Sequence, residues 1–275
     1  MKTYKYITLD DPLAPNDTLP WGINDHGDIV GDIGVGADGA DGFLYKNGKF
    51  TAVHDPLGVV GTVAYDINAK SWIVGEYFDG AGEHAFLYKD SSFTTIDNPL
   101  AFKTIATSIN DRGQIVGVYV DNQGNESFLY ENGKFTTLSD PAATHGTFVQ
   151  SINKKGQIVG EYNDDQGVHG FLYTNGTYQS LDDPMATNGT YAFDVNDKGQ
   201  IVGVYWDLTG SHGFIFNKGL YTTLDDPLAA NTSATANGTD AISINNKGDI
   251  VGNYHDAAGI HGFIATQHEV DLLLV

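Results

Sequence analysis

Three carboxylates, one lysine and one histidine set what this chain could do chemically. Asp32, Glu76 and Glu161 occupy one recurring position, directly after an Ile-Val-Gly triplet; elsewhere that position holds Val118, Val204 and Asn253. Lys103 and His145 belong to a second recurring position, the pair before a threonine. That pair runs Asn16-Asp17, Val60-Gly61, Phe102-Lys103, His145-Gly146, Asn188-Gly189 and Asn237-Gly238. Asp17 and Lys103 stand there in place of glycine, and His145 in place of asparagine. Carboxylates held near one another raise each other's pKa, which is how acid–base pairs are made. If these positions face one channel mouth, Lys103, His145, Glu76 and Glu161 form a catalytic set. The alternative is that they pair with neighbours or face water.

Aromatic residues frame the same region. Trp21, Tyr65, Thr107, Gln150, Phe193 and Ile242 share one register, and Leu19, Val63, Ile105, Phe148, Tyr191 and Asp240 another. Asp17, Trp21, Asp32, Tyr65, Phe102, Phe148 and Tyr191 are therefore expected to line a ligand pocket. Trp206, in a neighbouring loop, is placed to stack on a sugar ring or to pack on adjacent loops.

The elements that must position these residues are repeats. An Ile/Val-Asn pair recurs at Asn24, Asn68, Asn110, Asn153, Asn196 and Asn245, with spacings of 44, 42, 43, 43 and 49 residues. Each pair is followed by Ile-Val-Gly, then by a Phe-Leu-Tyr-like run beginning at Phe43, Phe86, Phe128, Phe171, Phe214 or Phe263. A Phe-Thr-Thr-Leu-like phrase comes next, as at Phe135. Asn47-Gly48, Asn132-Gly133 and Asn175-Gly176 supply the positive φ of a two-residue hairpin. No 3.6-residue apolar period is sustained, so little helix is expected.

Four short strands per repeat of about 43 residues predict an all-β, six-bladed β-propeller with four antiparallel strands per blade, a single domain over 1–275. Tyr6-Ile7-Thr8-Leu9-Asp10-Asp11-Pro12 copies the phrase that ends the other repeats, yet no repeat precedes it, and the last repeat lacks its own copy. The N-terminal strand should therefore complete the last blade and close the ring.

The phrase Ile-Asn-x-x-Gly-x-Ile-Val-Gly, together with His84-Ala85-Phe86-Leu87-Tyr88, resembles the bacterial HAF repeat family, described as probable extracellular repeats, across essentially the whole chain. The resemblance implies a secreted protein and carries no established catalytic residues. Met1–Tyr6 shows no apolar leader core, which by itself reads as cytoplasmic or as a chain whose leader has been removed.

Recurrence separates scaffold from site. His84, His169, His212 and His261 recur before the third strand and are expected to hold neighbouring loops together. Asp11, Asp55, Asp140, Asp183 and Asp226 precede proline or its equivalent turn, and are read as turn formers rather than calcium ligands, which would have to converge. The Asn24–Asp28 segment is read as a hairpin turn, not a calcium loop. No cofactor or metal is expected, and the absence of cysteine excludes thiolate chemistry. A formal charge of −21, with 14 basic residues, argues against nucleic-acid partners, and no apolar run is long enough to span a membrane. No nucleophile elbow, phosphate loop or zinc helix is present. The expected protein is a monomer that binds a small molecule or glycan at its loop-rich face; the alternative is a hydrolase, lyase or cyclase with one site at the channel mouth. The junction Leu228–Asn237, six residues longer than its counterparts, is a candidate lid.

Overall fold

The computed structural model describes residues 2–35, 39–229 and 238–269, and all regular elements among them are β-strands. The candidate lid lies largely outside the described residues. The chain opens with β1 (Lys2–Thr8). The first repeat then forms β2 (Thr18–Ile23), β3 (Ile29–Val35), β4 (Gly39–Lys46) and β5 (Lys49–Val53). The second forms β6 (Gly61–Ile67), β7 (Ile73–Phe78), β8 (Glu83–Lys89) and β9 (Ser92–Thr95). The third forms β10 (Lys103–Ile109), β11 (Ile115–Asp121), β12 (Gly124–Glu131) and β13 (Lys134–Leu138). The fourth forms β14 (Thr147–Ile152), β15 (Ile158–Asp164), β16 (Gly167–Thr174) and β17 (Thr177–Leu181). The fifth forms β18 (Thr190–Val195), β19 (Ile201–Trp206), β20 (Ser211–Asn217) and β21 (Leu220–Leu224). The last contributes β22 (Thr239–Ile244), β23 (Ile250–His255) and β24 (Ile260–Glu269).

Each repeat is an antiparallel meander, and single parallel bridges, Asp41 to Thr62 and Lys103 to Glu83, join the first three units into one sheet. The hairpin turns take the conformation their residues favour: φ is 52° at Asn47 and 78° at Gly48. At the turn after Asn68 no glycine is available, and Ser71 adopts φ 58° in its place.

β1 completes the sheet of the last repeat. It pairs antiparallel with β24, from Lys2 opposite Glu269 to Thr8 opposite Phe263. Leu9 N then donates to Gly262 O at 2.8 Å, and the rings of Tyr6 and Phe263 meet edge-on at 5.3 Å.

The core lies between units. Val30 of the first packs against Ala64, Ile67 and Ile73 of the second, and Val251 of the last against Ile23, Ile29 and Phe43 of the first. Burial on both faces explains why Ile73 and Val74 are consecutive apolar residues, 1% and 0% exposed.

The recurring asparagines tie unit to unit. Asn110 Oδ1 accepts from the backbone N–H of Arg112 and Gln114, at 2.9 and 3.1 Å, while its Nδ2 donates to Asn153 O at 3.0 Å. The same side-chain-to-carbonyl bond runs from Asn24 to Asn68, Asn68 to Asn110, Asn153 to Asn196, Asn196 to Asn245 and Asn245 to Asn24, at 3.0–3.2 Å. Asn110→Ala would strand two turn donors, Arg112 N and Gln114 N, and cut the tie to Asn153 O, which keeps its bond from Gly156 N. It is expected to cost about 3 kcal/mol, since each unsatisfied buried group costs about 1–3 kcal/mol, read as a lower urea midpoint with unchanged slope.

Candidate functional site

Every first strand breaks its ladder at the same point. The register shifts between Pro20 and Gly22, Ala64 and Asp66, Ala106 and Ser108, Val149 and Ser151, Ala192 and Asp194, and Ala241 and Ser243. The skipped residue is Trp21, Tyr65, Thr107, Gln150, Phe193 or Ile242. A β-bulge opposes two residues to one and re-aims the side chains at that point. Here it turns consecutive residues toward one central cavity of about 450 Å³, among them Tyr65 with Asp66, Thr107 with Ser108, Gln150 with Ser151, and Phe193 with Asp194.

The wall of this cavity is asymmetric. Ile105, Val118, Val120, Phe148, Phe193 and Ile242 make it apolar, while Lys103, Thr107, Gln150 and Glu161 supply polar groups. Wherever the position after Ile-Val-Gly is acidic, the bulge residue eleven positions earlier is a donor. Trp21 Nε1 donates to Asp32 Oδ1 in a short bond, Tyr65 Oη to Glu76 Oε1 at 2.6 Å, and Gln150 Nε2 to Glu161 Oε1 at 3.2 Å. Burial pushes the Asp32 carboxyl up to about 6 against the Trp21 bond, with the charge of Asp17 adding to the rise. Burial likewise pushes Glu161 up to about 7 against the bond from Gln150. Glu76 is also raised by burial, although Tyr65 and Lys103 oppose the rise.

The cavity floor is made by residues the sequence reading passed over. Asp66 Oδ2 accepts from Ser108 Oγ at 2.7 Å and Ile109 N at 2.8 Å, and Oδ1 accepts from Ile67 N at 2.7 Å. Asp194 accepts from Ser151 Oγ, Val195 N, Ser243 Oγ and Ile244 N at 2.5–2.7 Å. Burial pushes Asp66 up to about 7, with the charge of Asp194 adding to it, against donors that favour the carboxylate. These two aspartates, with Ser108 and Ser151, also line a smaller polar hollow on the far side, bordered by the asparagine turns. The signal for them was present: a small or acidic residue (Gly22, Asp66, Ser108, Ser151, Asp194, Ser243) precedes every Ile/Val-Asn pair.

Of the predicted site residues, Trp21, Tyr65, Lys103, Phe148 and Glu161 line the cavity. Lys103 is ion-paired with Glu83. Asp32 and Glu76 are buried, off the lining, each held by its donor. Tyr191 approaches Phe193, with ring centroids 6.4 Å apart. Asp17 forms a parallel bridge with Ile260, between the last repeat and the first. His145 is not brought to the cavity; its Nε2 meets Asp165 Oδ1 at 2.9 Å where the two side chains are 60% and 88% exposed. Phe102 is 63% exposed and Trp206 half-buried, neither on the cavity lining.

The recurrent histidines hold loops. Nδ1 of His84, His169, His212 and His261 bonds to Asp97, Asp182, Asp225 and Asp10. Each imidazole stacks on a tyrosine, as His84 does on Tyr77 at 5.0 Å. Burial opposes charge on His84, yet the bond to Asp97 and the nearby Asp79 carry its pKa above the ordinary imidazole value. The aspartates before proline cap their own turns: Asp11, Asp55, Asp140, Asp183 and Asp226 each accept from the backbone N–H two residues on. Asn24 Oδ1 likewise accepts from His26 N and Asp28 N, and Lys46 takes Asp28. Among the described residues no group of three or more His, Cys, Asp or Glu side chains is arranged to hold a metal ion.

The sequence matches no family model and no curated protein. Among solved structures, the chain is similar to a mutant Aleuria aurantia lectin in complex with Fucalpha1-6GlcNAc, with TM-score 0.58 and 11% identity over 93% of this chain and 97% of the lectin. It is similar to a gluconolactonase from Xanthomonas campestris, with TM-score 0.54 and 9% identity over 96% and 90% of the two chains. It is also similar to Trypanosoma rangeli sialidase in complex with sialic acid, with TM-score 0.53 and 8% identity over 96% of this chain and 58% of that one. At such identities the likeness shows the fold, which is that of a β-propeller.

Proposed function

We propose that this chain is a six-bladed propeller of HAF-like repeats, closed as a ring by β1, that binds one small molecule or carbohydrate in its central cavity. The ring is supported by the pairing of β1 with β24 and by the asparagine bonds, which return from Asn245 to Asn24. The binding reading is carried by the cavity itself. Its volume of about 450 Å³ falls in the range of about 300–1,000 Å³ typical of ligand sites, and its wall combines an apolar surface with a few fixed polar groups. One asymmetric cavity implies one ligand per chain, unlike a lectin with a pocket in each blade.

An acid–base enzyme is the second reading. It is favoured by Glu161 on the cavity wall, whose carboxyl is raised to about 7 and so is suited to proton transfer near neutral pH. Both readings place the ligand in the same space. Ile105→Trp puts a larger ring into that space, and is expected to weaken binding about 100-fold while leaving folding intact; Trp206→Ala should change binding less than about twofold. Titration calorimetry against a panel of phenyl glycosides and aromatic amines reads both values and the stoichiometry. A stoichiometry near six, or binding that Ile105→Trp leaves unchanged, would sink the cavity reading. Turnover of a bound glycoside, lost in Glu161→Gln, would select the enzyme.

A further inference from the structure

The donors of the cavity wall narrow the ligand class, on the premise just argued that this cavity is the binding site. Nearly all of them are already spent. The Trp21, Tyr65 and Gln150 donors go to Asp32, Glu76 and Glu161. The Ser108 hydroxyl goes to Asp66, and those of Ser151 and Ser243 to Asp194. Thr107 Oγ1 faces the carbonyls of Val116 and Val149 at 3.3 and 3.4 Å. Lys103, the basic side chain of the wall, is neutralised by Glu83. Asn125 stands apart, exposed at the rim.

What the wall leaves open is acceptors and π-systems. Glu161 borders the cavity with the Gln150 amide as its one side-chain partner among the described residues. Behind Tyr65 and off the lining, Glu76 Oε2 is buried and has no hydrogen-bond partner among the described residues, on a residue 4% exposed. Asp66 and Asp194 form the floor beneath, adding negative charge although their oxygens already accept from serine hydroxyls and backbone N–H groups. An anion would meet this array of carboxyls with no free cation to receive it. A polyol would find acceptors for its hydroxyls but few donors for its oxygens. A positive centre on an apolar body answers every feature: aromatic rings attract cations, and a buried carboxyl gains the partner that burial has taken from it.

We propose that the central cavity binds an organic cation, an amine or quaternary ammonium carried on an apolar body, with its charge against Glu161 and among the rings of Trp21, Tyr65 and Phe148. The chain's formal charge of −21 also favours the approach of cations over anions.

The test uses three probes that share a phenyl ring in calorimetric titrations of the whole chain: benzyltrimethylammonium, phenyl glucoside and phenylacetate. The ammonium is expected to bind one per chain, at least about tenfold tighter than the other two. Glu161→Gln should weaken it at least about tenfold with an unchanged urea midpoint, which a general loss of structure would not do. Tyr65→Phe, which keeps the ring, should retain most of the ammonium affinity. If phenyl glucoside or phenylacetate binds as tightly as the ammonium, and Ile105→Trp blocks it, the cation assignment is overturned while the cavity remains the site. If Ile105→Trp affects none of the three, both readings fall together.

Discussion

Removal of residues 1–11 is expected to leave a chain with no cooperative unfolding transition at 25 °C, far beyond what trimming a free terminus does. The segment supplies the outer strand of a sheet, seven residue pairs with β24 from Lys2–Glu269 to Thr8–Phe263. It also supplies Leu9, 5% exposed, and the rings of Tyr4 and Tyr6, which pack on the cluster around Phe263 and Ala265. Three such side chains are worth roughly 1.5–3 kcal/mol each when buried, against a total stability of about 5–15 kcal/mol for a typical domain. Losing Asp10 and Asp11 also removes the partner of His261 and the turn that Thr18 Oγ1 supports. A bare edge along β24 would then invite association between chains. Because β24 ends at Glu269 opposite Lys2, attaching residues 2–11 behind the C-terminus through a short linker should rebuild the same antiparallel pair. Circular dichroism and urea titration of the deleted and permuted chains read the result. A deleted chain with the parental midpoint would refute the role of β1 as a latch.

The scaffold was legible in the sequence because it repeats. Six copies average out local ambiguity, so the Ile/Val-Asn turns, the Asn-Gly hairpins and the displaced first strand could each be read from chain order alone. The recurrent histidines were legible for the same reason: a residue present in most units serves the unit, and each imidazole lies between a tyrosine and an aspartate. The site was only half legible. Strict alternation puts Trp21 and Leu19 on one face and sends Gly22 and its counterparts to the other. The bulge breaks that alternation, so Asp66, Ser108, Ser151, Asp194 and Ser243 turn to the cavity beside the aromatic row. No period-2 pattern contains this information. His145 went the other way: its departure from the repeat marked it as special, but its position before the strand leaves it at the surface with Asp165.

What allows the bulge is the glycine of Ile-Val-Gly, and Gly117→Ala is expected to be among the costliest single methyl additions in the chain. A Cβ on Gly117 would lie 2.0 Å from Ile105 O and 2.9 Å from the Phe128 ring, where real contacts are never below 3.0 Å. The same carbonyl approach recurs at Gly31, Gly75, Gly160, Gly203 and Gly252, at 1.9–2.1 Å. The obstacle is backbone, so no rotamer change relieves it; β10 and β11 would have to part where Ala106 and Val116 are fully buried. Such overpacking is expected to cost about 3 kcal/mol or more. Gly80→Ala is the control. No atom lies within 4 Å of its added Cβ and its φ is not left-handed, so the substitution should be neutral or stabilise by about 0.4–1 kcal/mol through the unfolded chain. The two variants therefore carry opposite signs for the same chemical change. Gly117→Ala should also weaken ligand binding in whatever fraction remains folded, because Thr107 and Ser108 on the facing strand take their direction from the bulge. Urea midpoints of the two variants, with binding measured under native conditions, test the argument. Equal midpoints would mean that the strands yield to a methyl group here, and that the bulge does not depend on the glycine.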